Sequence, residues 1–294
     1  MKTLVFGEIL WDIIEGDPHL GGAPLNFAAH VNQCGHESAI ISCLGNDELG
    51  DKALSLVINL GVDTSLIQRA EKRTGFVPVT LINGQPQYVI TPDVAFDYIQ
   101  SEDIDQSKIE SYDTFYFGSL IQRSPDSNKA LYDILSNHQF ENIFYDVNLR
   151  KDAYSKSIIE NSLAWCTLLK VNDDEVETLS EMLFGKVQDF ETFSQFICQQ
   201  YPKINTIIIT AGKDGCLIYS NKKLVIIPTE LITVVDTVGA GDSFSAAFAC
   251  VYANTEDPIK AAQIANKVGG FVASSHGPIP QYSDDILRLI TLIE

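Results

Sequence analysis

Short apolar runs alternate with helical patterns along most of the chain. The strand-like runs are Thr3–Gly7, Thr114–Gly118, Asn142–Asp146, Thr167–Val171 and Asn205–Thr210. The predicted helices are Pro24–Cys34, Pro125–His138, Lys156–Trp165, Asp173–Met182, Phe190–Tyr201, Ala240–Ala253 and Pro258–Ser274. Because strands that alternate with helices form parallel β-α-β units, this pattern predicts an α/β fold with a mainly parallel central sheet and helices on both faces. No repeat or linker divides the chain, so we expect one domain over residues 1–294.

One region has a different pattern. Gly75–Ile82 and Gln85–Ile90 are alternating, β-branched runs joined at Asn83-Gly84, a dipeptide typical of two-residue hairpins. With Ile13–Glu15 and Asp63–Gln68 they are predicted to form a small antiparallel sheet, a β lid over about residues 13–20 and 63–98. So small a sheet cannot bury both of its faces. It should therefore cover a ligand, pair with a second subunit to give a homodimer, or do both.

The amino-acid composition excludes several classes of binding partner. Lysine and arginine total 20 and aspartate and glutamate total 39, which gives a formal net charge of −19. Because such a surface repels phosphate backbones and anionic lipids, we expect neither nucleic-acid nor membrane binding. The six cysteines show no metal-ligand spacing, and the N-terminus resembles a first strand and not a signal peptide. A cytoplasmic protein with free thiols is expected.

The segment Leu231–Phe244 carries the most informative chemistry. An apolar strand is expected to end near Val235, glycines 239 and 241 supply a tight turn, and an almost entirely apolar helix follows. We expect that helix to be buried from its start, where unpaired N–H groups attract an anion. Asp242 lies in its first turn, and an alternative is that it only stabilises the helix dipole. The dinucleotide fingerprint and the Walker pattern are absent, which disfavours a dinucleotide-dependent oxidoreductase.

Two motifs resemble the signature sequences of a known protein family. Asp236-Thr-Val-Gly-Ala-Gly-Asp-Ser-Phe244 resembles the C-terminal signature of the ribokinase-type (phosphofructokinase-B-type) carbohydrate kinases, and Gly21-Gly-Ala-Pro-Leu-Asn-Phe-Ala-Ala28 resembles their N-terminal signature. The Gly-Gly-Ala-Pro form is similar to fructokinases. The resemblance covers essentially the whole chain and implies a ribokinase-like fold. It also implies that Asp242 is the catalytic base and that the turn Gly239, Ala240 and Gly241 is the anion hole.

The resemblance extends to the sugar side. Asp146-Val-Asn-Leu-Arg150 alternates, which would place Asp146, Asn148 and Arg150 on one face at the carboxyl end of a strand, although a polar strand exit is an alternative. Phe96 stands where a fructokinase-type segment has Trp. The residues that the resemblance places at the sugar are Asp12, Gly22, Asn26, Phe96, Asn148 and Arg150. A solvated loop carboxylate is the alternative for Asp12, which we expect at the end of the first strand.

A second group of residues resembles the nucleotide-binding residues of this family. Asn172 and Glu175 resemble the family's Asn-x-x-Glu, which holds Mg²⁺-bound water near the phosphates, but the same spacing is a capping box, and both roles are compatible. Thr210 and Gly212 match a nucleotide-contacting turn. Asn266 matches an adenine-side position, with an ordinary surface amide as the alternative. Whether a monovalent cation binds beside Asp236 is left open.

The resemblance implies transfer of the ATP γ-phosphoryl group to a primary hydroxyl of a sugar, with Mg²⁺ as the metal. Fructose, giving fructose 6-phosphate, is the expected substrate. Kinases of the same fold that act on 2-keto-3-deoxygluconate, ribose or a nucleoside are alternatives. A non-catalytic sugar or nucleotide sensor is an alternative from another class, and the intact Asp242 and glycine turn disfavour it.

Overall fold

The computed structural model of the protein describes residues 1–14, 16–82, 85–88 and 90–291. Its strands are β1 (Lys2–Phe6), β2 (Leu10–Ile14), β3 (Asp17–Gly21), β4 (Glu37–Gly45), β5 (Ile67–Ala70), β6 (Gly75–Ile82), β7 (Gln85–Tyr88), β8 (Thr114–Gly118), β9 (Asn142–Asp146), β10 (Leu168–Asn172), β11 (Thr206–Thr210), β12 (Cys216–Ser220) and β13 (Lys223–Ile227). Its α-helices are α1 (Ala23–Gln33), α2 (Glu48–Asn59), α3 (Gln106–Ile109), α4 (Pro125–Asn137), α5 (Lys156–Leu163), α6 (Asp173–Phe184), α7 (Phe190–Gln200), α8 (Ala240–Thr255), α9 (Pro258–Ala273) and α10 (Asp284–Thr291).

The larger sheet contains nine strands of the described chain, in the order β13-β12-β11-β10-β9-β8-β1-β4-β5. Neighbouring strands from β11 to β5 are parallel, whereas β12 and β13 are antiparallel additions at one edge. Strands such as Thr114–Gly118 are buried on both faces, which is why they are apolar runs without alternation. The prediction of a mainly parallel central sheet is confirmed.

Alternate residues of each strand enter two separate cores. Phe6 and Phe117 belong to the core beneath α4–α7, whereas Val5 and Tyr116 belong to the core beneath α1, α8 and α9. In the second core, Phe27 of α1 stacks on Tyr116 with ring centroids 3.8 Å apart. Helices therefore cover both faces of the sheet, as predicted.

The smaller sheet has the order β3-β2-β6-β7 and is separate from the large one. It is mixed and not purely antiparallel as expected, because β2 pairs in parallel with β6 while β3 and β7 are antiparallel to their neighbours. Ile82 pairs with Gln85, so the two strands are adjacent at the predicted hairpin, but the Asn83-Gly84 turn lies outside the described residues.

Two predictions about extended segments are wrong. Asp63–Gln68 does not join the small sheet, because β5 pairs in parallel with β4 and closes one edge of the large sheet. No strand forms over the described segment 228–239. There, the N–H groups of Val235 and Asp236 donate to the carbonyl of Ala273 at the end of α9 and not to a strand, and Leu231 is 97% exposed.

The seven predicted helices agree with α1 and α4–α9 to within two residues at each end, whereas α2, α3 and α10 were not predicted. None of the helices in the described ranges is long and apolar enough to cross a membrane.

Candidate active site

Helix α8 begins at Ala240 after a glycine in left-handed conformation. Gly239 has a φ of +78°, and a Cβ at this position would lie 2.5 Å from the carbonyl oxygen of Pro278, so only glycine fits. No side chain caps this helix start. Residues from Ser243 to Val251 are buried, but Gly241 is exposed. The helix is therefore buried as predicted while its first turn is open, which leaves N–H groups accessible to an anion.

The Asp242 carboxylate accepts a hydrogen bond from Nδ2 of Asn26 at 2.8 Å. Burial is the main cause that raises the pKa of Asp242, to about 6. The bond from Asn26 acts in the opposite direction, the charge of Asp146 raises the pKa, and Lys170 and Arg150 lower it. An aspartate that only stabilised a helix N-terminus would have a lowered pKa. A raised value near the working pH is instead suited to proton acceptance.

The Gly-Gly-Ala-Pro motif brings Asn26 to this carboxylate. Gly22 precedes α1 with a φ of +115°, and a Cβ there would lie 2.5 Å from the carbonyl oxygen of Glu8. Pro24 occupies the first turn, where its missing N–H costs nothing. Asn26 is only 4% exposed, and within the described chain its Oδ1 has no hydrogen-bond partner. One half of the amide therefore holds Asp242, and the other half is buried without a hydrogen-bond partner in the described residues.

Asp12 lies on β2 of the small sheet and not at the end of the first strand as expected, because β1 ends at Phe6. Its half-buried carboxylate faces Gly21, where a Cβ would lie 2.7 Å from Oδ2. Burial raises the pKa of Asp12, and the charges of Arg150 and His19 lower it. The predicted sugar-binding carboxylate is therefore carried by the small sheet, whereas Asp242 is carried by the α/β body.

The segment after β9 does not alternate as predicted. Asn148 has a φ of +41°, which breaks the extended conformation. Asp146 is buried, forms an ion pair with Lys170 at 3.0 Å and accepts a bond from Ser245 Oγ at 3.0 Å. Arg150 is exposed, and its charge lowers the pKa of both Asp12 and Asp242. Arg150 therefore lies near Asp12 and Asp242, as predicted, but a turn at Asn148 places it there and not the alternation of an extended strand.

Phe96 is fully buried beneath a cavity of about 910 Å³ and does not line it. The guanidinium of Arg123 lies 4.8 Å from the Phe96 ring centroid and pairs with Asp97 at 2.8 Å. Asp97, Arg123 and Arg150 are among the lining residues of this cavity. Phe96 supports the cavity wall from behind, and its direct contact with a sugar stays a prediction.

Two charged residues near Asp242 were not singled out from the sequence. Lys170 Nζ lies 3.7 Å from the position a Cβ of Gly241 would take, so an ammonium group underlies the glycine turn. Glu8 is 4% exposed, its Oε2 has no hydrogen-bond partner in the described ranges, and burial raises its pKa to about 7. A lysine inside the apolar strand Leu-Leu-Lys-Val-Asn and a glutamate just after an apolar strand were the available signals.

The capping-box role of Asn172 and Glu175 is confirmed. Asn172 Oδ1 accepts from the Glu175 N–H at 2.8 Å, and the Glu175 carboxylate accepts from the N–H groups of Asn172 at 2.8 Å and Leu149 at 2.7 Å. The described residues contain no group of three or more His, Cys, Asp or Glu side chains that could hold a metal. Because both Glu175 oxygens already accept hydrogen bonds, this carboxylate fits a water-mediated metal contact better than direct ligation.

Asn266, which the sequence assigns to the adenine side, is buried and is not a surface amide. It donates to the carbonyl oxygens of Ile227 at 3.2 Å and Pro228 at 3.4 Å, and it lines a cavity of about 480 Å³ together with Ile232 and Phe271. Thr210 ends β11, and Gly212 follows in an exposed turn with a φ of +51°. Neither of these two lines the cavity.

The fold and the two motif turns define the class of protein. The family model of the pfkB family carbohydrate kinases matches residues 14–285, and the chain therefore belongs to that family of sugar kinases. The chain is 29% identical to the uncharacterized sugar kinase PH1459 of Pyrococcus horikoshii over 92% of this chain and 89% of that protein. It is 26% identical to Probable fructokinase-3 of Arabidopsis thaliana, covering 92% of this chain and 81% of the relative.

Solved structures agree with this assignment. The crystal structure of PH1459 in complex with ATP superposes with a TM-score of 0.86 at 26% identity, covering 100% of both chains. The ribokinase-like fold, a large mostly parallel sheet with a small separate sheet, is thereby confirmed.

Proposed function

We propose that this protein transfers the γ-phosphoryl group of ATP to the primary hydroxyl of a sugar, with fructose as the substrate and fructose 6-phosphate as the product. The observation that carries the proposal is the Asn26–Asp242 pair at the open start of α8, in which a carboxylate with a pKa of about 6 lies beside a glycine turn.

Asp242 accepts the hydroxyl proton as the new P–O bond forms. A carboxylate is a weak base, but the loose transition state of phosphoryl transfer depends more on positioning than on basicity. Asn26 Nδ2 holds Oδ2 of Asp242 and so orients the carboxylate toward the acceptor hydroxyl. The N–H groups of Ala240, Gly241 and Asp242 stabilise charge on the transferred group. The free Oδ1 of Asn26 and the carboxylate of Asp12 accept hydrogen bonds from sugar hydroxyls.

ATP as the donor is supported by the ATP complex of PH1459. Asn266 and the cavity beside it are proposed to hold the adenine, and Thr210 and Gly212 to contact the nucleotide. Mg²⁺, when bound, supplies positive charge to the phosphates, and Glu175 would hold it through water. Asp236 accepts from the N–H groups of Val238 at 3.0 Å and Gly277 at 3.3 Å, and a monovalent cation beside this connection is part of the proposal.

Fructose is favoured by Gly21-Gly-Ala-Pro24 and by the relative named as a fructokinase. One observation favours a second candidate. Arg150 is exposed and lines the larger cavity, and its guanidinium has no ion-pair or hydrogen-bond partner in the described part of the chain. A free guanidinium at this position suits a carboxylate, so 2-keto-3-deoxygluconate is the second candidate.

A turnover panel with ATP and Mg²⁺ tests the proposal, using fructose, 2-keto-3-deoxygluconate, ribose and adenosine as acceptors. We expect the highest kcat/KM with fructose. An acceptor that exceeds fructose tenfold, a difference of about 1.4 kcal/mol, would overturn fructose while retaining the kinase. Arg150→Leu separates the first two substrates, because it should weaken an acid more than a neutral sugar. Sugar binding without phosphate transfer to any acceptor would instead support the sensor alternative.

A further inference from the structure

Helix α1 carries a polar stripe along a face that is otherwise apolar. Asn26, His30 and Gln33 are spaced four and three residues apart, so their side chains lie on one side of the helix. Asn26 reaches Asp242, whereas His30 and Gln33 both bind the segment from Gly277 to Tyr282 that follows α9. One rigid helix therefore contacts both the candidate base and this segment.

His30 is fully buried and makes two hydrogen bonds. Its Nε2 lies 2.9 Å from the carbonyl oxygen of Pro278, and its Nδ1 lies 2.8 Å from the hydroxyl of Tyr282, whose ring stacks on the imidazole at 5.5 Å. Because a carbonyl can only accept, Nε2 must carry the proton, and a neutral Nδ1 then accepts from Tyr282. Burial lowers the pKa of His30 to about 4, so this neutral tautomer persists at physiological pH.

Pro278 in turn lies directly against the glycine turn. A Cβ at Gly239 would lie 2.5 Å from the Pro278 carbonyl oxygen and 2.7 Å from its Cα, so the two backbones are in close contact. The neighbouring Gly277 N–H donates to Asp236, which also accepts from Val238 just before the turn. The position of the Gly277–Pro278 backbone therefore constrains the conformation of residues 236–239.

We propose that His30 is a positioning residue: by holding the Pro278 carbonyl, it fixes the turn at Gly239 and so aims the first N–H groups of α8 at the transferred phosphoryl group. This inference rests on the proposed kinase function. His30 would touch neither sugar nor nucleotide, and it would act on the start of α8 from one side while Asn26 acts on Asp242 from the other.

His30→Phe tests the inference, because phenylalanine retains an aromatic ring against Tyr282 but donates no hydrogen bond. Gln33→Leu is the matched control. Gln33 also makes two hydrogen bonds from α1 to the same segment, donating to the carbonyl of Pro280 at 3.2 Å and accepting from the Tyr282 N–H at 2.9 Å. Within the described chain its side chain makes no hydrogen bond to Gly239 or Pro278. Both variants should lower the Tm. If His30 positions the turn, His30→Phe should also lower kcat about tenfold to a hundredfold, the cost of a displacement approaching 1 Å.

The KM for sugar should stay within about twofold in His30→Phe, since Asp12 and Asn26 remain in place, and Gln33→Leu should change kcat by less than about twofold. His30→Gln, which can donate to Pro278 and accept from Tyr282, should restore part of kcat. Tyr282→Phe keeps the ring stack and the Nε2 bond, so it is a second control in which kcat should change by less than about twofold. If His30→Phe does not fold, His30→Gln is the milder variant at this position, and a kcat equal to that of wild type in His30→Gln and in Gln33→Leu at a lowered Tm would argue against the inference. Equal kcat values for His30→Phe and Gln33→Leu at similar Tm would overturn the inference.

Hydrogen exchange provides a readout that does not require turnover. His30→Phe should accelerate amide exchange in peptides covering residues 236–243 relative to wild type and to Gln33→Leu. If wild type phosphorylates no sugar, the proposed function fails, and this exchange difference still decides whether His30 holds the turn. Exchange rates that are the same in both variants would refute the positioning role independently of activity.

Discussion

Replacing Asp242 by asparagine tests the centre of the proposed mechanism. Asn has the same size, and its amide oxygen can still accept the 2.8 Å bond from Asn26, so the geometry of the site should survive. The change removes the proton acceptor. General-base catalysis contributes roughly 10²–10⁴ in rate, so kcat should fall by that factor, about 3–5 kcal/mol in activation free energy. KM values should stay within a few-fold, because Asp12 and the glycine turn remain.

The same substitution should change stability in the opposite direction. The folded-state pKa of about 6 lies above the ordinary value of 3.8, so the folded state binds the Asp242 proton more tightly than the unfolded chain does. Ionised Asp242 therefore destabilises the fold above pH 6, by up to about 3 kcal/mol and less where solvent reaches it. Asp242→Asn should be more stable than wild type at pH 8 and similar to it at pH 4.

The assay pairs steady-state turnover with urea unfolding of the same preparations. Asp189→Asn is the matched control, since Asp189 caps α7 by accepting from the Thr192 N–H at 2.8 Å and lies at no candidate site. Asn and Asp rank alike as caps, so this variant should leave kcat unchanged. Because hydrogen bonds from Thr192 lower the pKa of Asp189, Asp189→Asn should not gain stability at pH 8. If Asp242 were only a cap, it would behave like Asp189. An Asp242→Asn enzyme with kcat within threefold of wild type would remove this residue from the mechanism.

Three further predictions follow from the site. In wild type, kcat/KM should rise with pH through about 6 as Asp242 loses its proton, and a profile that is flat from pH 5 to 8 would contradict this. Glu8 has a pKa of about 7 against an ordinary value of 4.5, so the fold should lose about 3 kcal/mol of stability as pH rises from about 4.5 to about 7. Glu8→Gln should gain that amount at pH 8 and almost nothing at pH 4.5, and an equal gain at both pH values in urea unfolding would refute this. The small sheet should close over the sugar, so saturating sugar should slow amide exchange in β2 and β6, and unchanged exchange would argue against a lid. The same sheet should pair two subunits, so light scattering should give the mass of a dimer, and the mass of a monomer would argue against the pairing.

The fold was predictable where the pattern of apolar residues had a single solution. Thr114–Gly118 and Asn142–Asp146 were predicted to the residue because each is an apolar run bounded by polar positions and fully covered by helices. The run before Asp236 is similarly β-branched, yet its N–H groups bind the end of α9. Which backbone partner such a segment finds depends on tertiary contacts that the local sequence does not encode.

Site residues were predictable where a short motif determines the backbone conformation. They were not predicted where the role of a residue depends on its burial in the fold. Glycine is required at positions 22 and 239, because a Cβ there would lie 2.5 Å from the carbonyl oxygen of Glu8 or Pro278, and short glycine motifs indicate such close approaches directly. Asn148 adopts a left-handed conformation that alternation could not reveal. His30 and Lys170 become significant only because they are buried against Pro278 and Asp146, which are distant in sequence.

Glu8 and Asp242, whose charges interact, have pKa values that are set by their environments and not by their residue type. Glu8 is buried, with Oε2 unpartnered in the described chain, which brings its pKa to about 7. Asp242 is partly exposed and receives the Asn26 bond, which leaves its pKa near 6. Burial favours the neutral form of Glu8, whereas the Asn26 bond favours the ionised form of Asp242, which can accept a proton. Because the charges of Glu8 and Asp242 interact, a neutral Glu8 lowers the repulsion at Asp242 in a chain whose net charge is −19.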